Sequence, residues 1–201
     1  MERGVSPDSS LSARRCLANQ RKATKIMEKE FLQNPYFFKF SDSHLIDFFR
    51  KLNQVMLDDP YYDLEGELRP NFDCQNPHLL MRQEAADLPR SEDIISELTE
   101  FFSKLKRYSQ QNIPSLSLAA WAHAEIIRIF PFCSGNGRLA RMFMNAINIR
   151  YGQMPLIFDN EESYYDACIK NLKNPGYFVK YLTEKVIPWN RAKKFTFEEL
   201  E

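Results

Sequence analysis

Phe130-Pro131-Phe132-Cys133-Ser134-Gly135-Asn136-Gly137-Arg138-Leu139-Ala140-Arg141 is the stretch on which the reading of this chain turns. Gly135 and Gly137 flank Asn136, and glycine permits φ > 0 and close backbone approach. A turn of this kind aims successive N–H groups at one point and makes a nest for an anion. Residues 136–151 then carry Leu139, Met142, Phe143, Ala146 and Ile147 at three- and four-residue spacing, which predicts a helix. Its N-terminus adds unpaired N–H groups and positive dipole character, both favourable to phosphate. Arg138 and Arg141 are three apart and share one face of the first turn. Two guanidiniums beside a nest suit a di- or triphosphate better than one carboxylate. A plain helix cap with two solvated arginines is the simpler alternative. The density of GNGRxxR behind Pro-Phe favours the anion.

Outward from this stretch the pattern is helical. Residues 19–33 place Ile26, Met27, Phe31 and Leu32 on one face, and Asn34-Pro35 ends the run. Ser41 or Ser43 can cap a helix with Leu45, Phe48, Phe49, Leu52, Val55 and Met56 inward, stopped by Asp58-Asp59-Pro60. Ser91 is expected to cap a helix with Ile94, Ile95, Leu98, Phe101, Phe102 and Leu105 inward. Ser115 or Ser117 starts the helix that leads into the quoted stretch. Asp159 with Glu162 reads as a capping box for a helix through Leu172, and 177–187 is the last helix. Residues 61–89 lack helical period and contain Gly66, Pro70, Pro77 and Pro89; a short hairpin is expected within 68–81. The predicted class is mostly α with a small β-hairpin flap. Residues 1–18 are expected to be a disordered polar arm, 19–190 the helical domain and 191–201 a charged tail.

The 201 residues contain 27 Lys+Arg and 27 Asp+Glu, so no net field attracts nucleic acid. No apolar run reaches the roughly 18–20 residues of a membrane span. The first residues lack the apolar core of a secretory signal. Cys16, Cys74, Cys133 and Cys168 are scattered without a C-x-x-C pair, which suggests a reduced, cytoplasmic setting. His44 and His78 lack partners at zinc-ligand spacing, so no metal site is expected from histidine and cysteine.

The quoted stretch resembles the signature of the Fic (Fido-fold) family, HPFx[DE]GNGRxxR. The match covers Pro131, Phe132, Gly135, Asn136, Gly137, Arg138 and Arg141. The flanks agree: Ala119, Ala120, His123 and Ile129 before it, and Asn145 with Gly152-Gln153-Met154-Pro155 after it. Gly66-Glu67-Leu68-Arg69 resembles the Gly-x-x-Arg that opens the family's flap, and residues 40–187 belong to the resemblance. It implies a Fido-type helical domain that binds ATP or another nucleotide through Gly135, Asn136, Gly137, Arg138 and Arg141. It further implies a flap over 66–82, with Gly66 and Arg69, that takes a target protein segment by strand addition.

Two positions depart from the signature. Phe130 stands at the family's histidine and Ser134 at its acidic residue. In the family the histidine takes the proton of a target Ser, Thr or Tyr hydroxyl, and the acid holds the magnesium that bridges the nucleotide phosphates. AMP is then moved onto the target protein. Phenylalanine accepts no proton, and general-base catalysis is typically worth about 10²–10⁴-fold. A neutral serine is a poor ligand for a hard cation, so the magnesium site is expected to be weak or missing. His123 lies two helical turns upstream, roughly 10 Å along the axis, and reads as a packing histidine. Cys133 sits beside the nest, where positive potential could activate a thiol.

Two functions stay open. One is a nucleotide- or protein-binding pseudoenzyme. The other is an active or altered protein adenylyltransferase. A second family element, an inhibitory helix of pattern [ST]xxxE[GN], resembles Thr24-Lys25-Ile26-Met27-Glu28, although Lys29 departs from it. It implies that Glu28 could pair with Arg141 and exclude a phosphate. The tail turns from Lys193-Lys194 to Glu198-Glu199-Leu200-Glu201. Such tails also occur in bacterial effectors, so action in a host cell is an alternative to a cytoplasmic role.

Overall fold

The computed structural model describes residues 9–58, 66–70, 88–158, 160–185 and 187–188. The helices are α1 (Ser9–Met27), α2 (Asp42–Leu57), α3 (Ile94–Ser109), α4 (Ser115–Ile129), α5 (Asn136–Arg150), α6 (Glu161–Lys173) and α7 (Tyr177–Lys185). A π-helical turn (Glu28–Leu32) prolongs α1, and 3₁₀ turns lie at Phe37–Lys39 and Ser91–Asp93.

α4 and α5 pack along each other at the centre. The sequence explains why α4 takes that place. Leu118, Ala119, Ala120, Ala122, His123, Ile126, Ile127 and Ile129 are all buried, so the helix is apolar nearly all round. Its three buried alanines are small enough to let a neighbouring helix approach closely. α2 and α3 cover one side and α6 and α7 another, while α1 lies on α2 and reaches α5. Phe49 joins three of these layers. Its ring centroid lies 4.8 Å from that of Phe102 on α3 and 5.0 Å from that of Phe143 on α5. Burying such a ring contributes about 1.5–3 kcal/mol.

Local signals set most boundaries. Ser41 caps α2 by accepting from the His44 amide at 3.2 Å. The π-turn closes through Gln33 N–H donating to the Glu28 carbonyl at 2.9 Å. Arg150 from α5 secures that turn by donating to the Phe31 and Asn34 carbonyls. Its guanidinium also lies 5.0 Å over the rings of both Phe31 and Phe38.

Three expectations change. α1 begins at Ser9, not Asn19, so the arm expected over 1–18 is helical from residue 9. Anchorage outside the helix makes the difference: Arg15 and Asn19 both donate to the Asp58 carbonyl, at 3.0 and 2.9 Å. Residues 1–8 lie outside the described residues. α6 is capped by Asn160, whose side chain accepts from the Ser163 amide at 2.7 Å, rather than by an Asp159–Glu162 box. The last helix stops at Lys185, because Ile187–Pro188 leaves it to pair antiparallel with Leu156–Ile157. These short strands are β1 (Leu156–Ile157) and β2 (Ile187–Pro188). Asn145 holds β1 by bonding both the N–H and the carbonyl of Leu156, at 2.8 and 3.0 Å. Finally, the hairpin expected within 68–81 and the tail over 191–201 fall mostly or wholly outside the described residues. Of the residues expected to form a flap, 66–70 are described, and Leu68 there forms an isolated antiparallel bridge with Phe132.

Candidate functional site

The loop between α4 and α5 is held by side chains from three directions. Inside it, Asn136 is buried and folds back on Phe132: its Oδ1 accepts from the Phe132 N–H at 3.0 Å and its Nδ2 donates to the Phe132 carbonyl at 2.7 Å. From α2, Asn53 donates to the Ser134 carbonyl at 2.8 Å and accepts from Gly66 N–H at 3.1 Å. From the flap base, Arg69 Nε donates to the Phe130 carbonyl at 2.9 Å, its Nη2 to Pro89 at 2.7 Å, and its backbone N–H to Pro131 at 2.8 Å.

This clamping maintains an unfavourable backbone. Phe130 has φ 49° and ψ 58°, the one non-glycine positive φ among the described residues. A left-handed L-residue costs roughly 1–2 kcal/mol, and the following proline disfavours the conformation further. Strain of this kind persists where the surroundings over-determine it. Gly135 turns the chain back at φ 81°, and a Cβ there would lie 2.8 Å from Asn53 Nδ2. Gly66 is equally constrained at φ 73°, with the Arg50 carbonyl 2.8 Å from where its Cβ would stand.

The product is an uncapped helix N-terminus. No side chain caps α5 at Gly135, so its first N–H groups offer themselves to an anion. Gly135, Asn136, Gly137, Arg138 and Arg141 line one small cavity of about 120 Å³, with Phe130, Ser134, Ile127, Tyr164 and Tyr165. Arg138 and Arg141 also line a larger cavity of about 570 Å³ between α1 and α5. Neither arginine makes an ion pair among the described residues. Arg138 Nη1 reaches only the Cys16 sulfur, at 3.5 Å, and Arg141 lies over the Tyr164 ring at 4.8 Å. The sequence had grouped the loop glycines and arginines, and the fold brings them together. Asn136 is the member whose side chain is fully engaged in the loop itself.

Glu28 lies in the wall of the larger cavity with Thr24, Arg138 and Arg141. Its carboxylate accepts from Gln33 Nε2 at 3.3 Å. The segment that resembles the inhibitory helix thus lines the same cavity as the arginines, with the Glu28 carboxylate bonded to Gln33.

Among the described residues, no carboxylate or imidazole lines the loop cavity. His123 is fully buried in α4, with Nε2 3.0 Å from the Tyr164 hydroxyl and its ring stacked 4.1 Å from Phe178. Burial, and then the Arg141 charge, pushes its pKa down to about 3, so it is a weak base. Burial raises Tyr164 well above the ordinary phenol range, so it stays protonated at neutral pH. This pair is therefore poorly suited to take a proton at neutral pH. Ser134 offers the loop a neutral hydroxyl, a weaker ligand for a hard cation than a carboxylate. Cys133 is disulfide-bonded, so it is not the free thiol the sequence suggested. Its pairing is not readable from cysteine spacing.

Asn53, Tyr164 and Tyr165 were missed in the sequence. Asn53 did leave a signal: it is a polar residue four after Phe49, on the apolar face of its helix. Tyr164 and Tyr165 left none, since a paired tyrosine in an amphipathic helix reads as packing.

Comparison with known proteins agrees with this geometry. The chain is 35% identical over 107 residues to Protein adenylyltransferase Fic of Nematostella vectensis, covering 49% of this chain and 25% of that protein. It is 32% identical over 96 residues to Protein adenylyltransferase fic-1 of Caenorhabditis elegans, covering 46% and 19%. The chain therefore spans about a quarter or less of the length of these curated relatives. Among solved structures, a Fic domain containing signaling protein from Bacteroides thetaiotaomicron superposes with a TM-score of 0.66 at 21% identity, covering 90% of this chain and 70% of that one. A variant of Fic-1 from C. elegans gives 0.69 at 23% identity, covering 89% and 50%. Residues 42–147, more than half of the chain, match the model of the Fic/DOC family, and the chain belongs to that family.

Proposed function

We propose that this protein is a Fic-fold pseudoenzyme that binds a nucleotide through its phosphates and transfers AMP slowly or not at all. One observation carries the reading. Among the described residues, two guanidiniums without a carboxylate partner stand at an uncapped helix N-terminus, while Phe130 lines the cavity and no carboxylate or imidazole does. The larger cavity adjoins the same arginines. A partner protein is the natural recipient of such a state: Leu68 already pairs with Phe132, and Gly66 and Arg69 fix where an added strand would begin.

The relatives named adenylyltransferases favour a second reading, a working transferase. Calorimetry with ATP, with and without magnesium, tests the first. Arg138→Ala and Arg141→Ala should each weaken binding at least about tenfold, given roughly 1.5–3 kcal/mol for a charged hydrogen bond. Lack of any ATP affinity in the wild-type chain sinks the proposal. Label transferred from α-labelled ATP to protein, and lost in Arg138→Ala, would install the transferase reading. Gain of labelling in Phe130→His with Ser134→Asp is expected if only those two side chains are lacking.

A further inference from the structure

Arg141 lines two cavities, with Tyr164 in the wall of one and Glu28 in the wall of the other. On the loop side its guanidinium lies 4.8 Å over the Tyr164 ring. On the α1 side the cavity wall carries the Glu28 carboxylate, now bonded to Gln33. A partly desolvated cation–ring contact and a half-exposed ion pair are of comparable strength. Small differences in positioning therefore decide which neighbour the guanidinium takes.

Tyr164 is not free to move with Arg141. It is 2% exposed, and its ring meets Phe158 edge-on at 4.9 Å. Its hydroxyl is tied to His123, which is itself stacked on Phe178 with the planes 5° apart. His123 Nδ1 is buried without a partner. An unmatched lone pair is more tolerable there than an unmatched N–H, which assigns the proton to Nε2, donating to the Tyr164 oxygen. Gly137 keeps open the slot where ring and guanidinium meet. A Cβ there would lie 3.4 Å from Arg141 Nη1 and 3.6 Å from the Tyr164 hydroxyl.

We propose that Tyr164, fixed by His123, is a positioning residue that holds Arg141 on the loop side, away from Glu28, and so keeps the guanidinium ready for an anionic ligand. The inference rests on the loop being a phosphate site. It adds an element opposed to Glu28: phenol and carboxylate compete for one cation.

ATP titration by calorimetry tests it in Tyr164→Leu, Tyr164→Phe, and each combined with Glu28→Gln. Tyr164→Leu should weaken ATP binding about 3- to 10-fold, the range of a cation–ring contact. Tyr164→Phe keeps the ring but loses the His123 tie, and should weaken it roughly 2- to 3-fold. Glu28→Gln in the same chain should restore most of either loss, which a merely structural defect would not allow. A ligand-free cycle between Tyr164→Leu and Arg141→Met should be non-additive by about 2- to 10-fold in the unfolding equilibrium constant. Wild-type affinity in both tyrosine variants, or a loss that Glu28→Gln leaves in place, overturns the proposal. If Tyr164→Leu does not fold, Tyr164→Phe carries both the titration and the cycle. Absence of ATP binding by the wild-type chain overturns the phosphate reading instead, and the ligand-free cycle then decides the positioning on its own.

Discussion

Asn136→Asp is nearly isosteric and changes only which atoms carry hydrogen. In the native loop Oδ1 faces the Phe132 N–H at 3.0 Å and Nδ2 faces the Phe132 carbonyl at 2.7 Å. An aspartate keeps the first bond but turns an acceptor toward an acceptor in the second. To donate there it must hold a proton. Protonating a carboxyl of ordinary pKa about 3.9 at pH 7 costs about 4 kcal/mol, at about 1.36 kcal/mol per unit. That is the ceiling of the loss: a side chain that stays ionised against the carbonyl, favoured by roughly 0.5–1 kcal/mol at the helix N-terminus, lowers it. The expected loss of unfolding free energy is therefore about 3 kcal/mol at pH 7, read by urea denaturation. The sign with pH follows from the raised folded pKa. The penalty is absent below the unfolded value and grows as pH rises above it. At pH 5 it should shrink to about 1 kcal/mol. Since the comparison is with wild type at each pH, other titrating groups cancel. A variant within about 0.5 kcal/mol of wild type at pH 7, or a penalty that ignores pH, would falsify the clamp and return Asn136 to the role of a ligand group.

His123 makes a separate prediction for the wild-type chain. Its folded pKa is depressed to about 3, so the unfolded chain binds the extra proton as pH falls below about 6.5. Stability should decline from pH 6.5 toward 3 by up to roughly 5 kcal/mol, and His123→Gln should flatten that slope in the same urea series. Gly135→Ala sets a Cβ 2.8 Å from Asn53 Nδ2 at φ 81°. A loss of about 1–3 kcal/mol is expected, and a neutral result in thermal unfolding would mean the loop re-forms with another backbone. Thiol labelling followed by mass spectrometry should modify exposed Cys16 quickly. Cys168, pushed up to about 12 by burial, should react only on unfolding; fast labelling of Cys168 in the native chain contradicts its placement.

The sequence by itself determined the helical class, the α2–α5 boundaries to within a few residues, and the grouping of the loop glycines with Arg138 and Arg141. These features are local: glycine sets the turn, apolar spacing sets the helix, and three-residue spacing puts Arg138 and Arg141 on one face. It also determined what the loop lacks, since Phe130 and Ser134 are read directly from the chain. The tertiary structure decided which groups act on that loop. Asn53 meets Ser134 across 81 positions of sequence, Arg69 meets Phe130 across 61, and His123 meets Tyr164 across 41. No period or motif links such residues. Their partners are chosen when helices pack, because a buried polar atom must find its match wherever the fold has brought one.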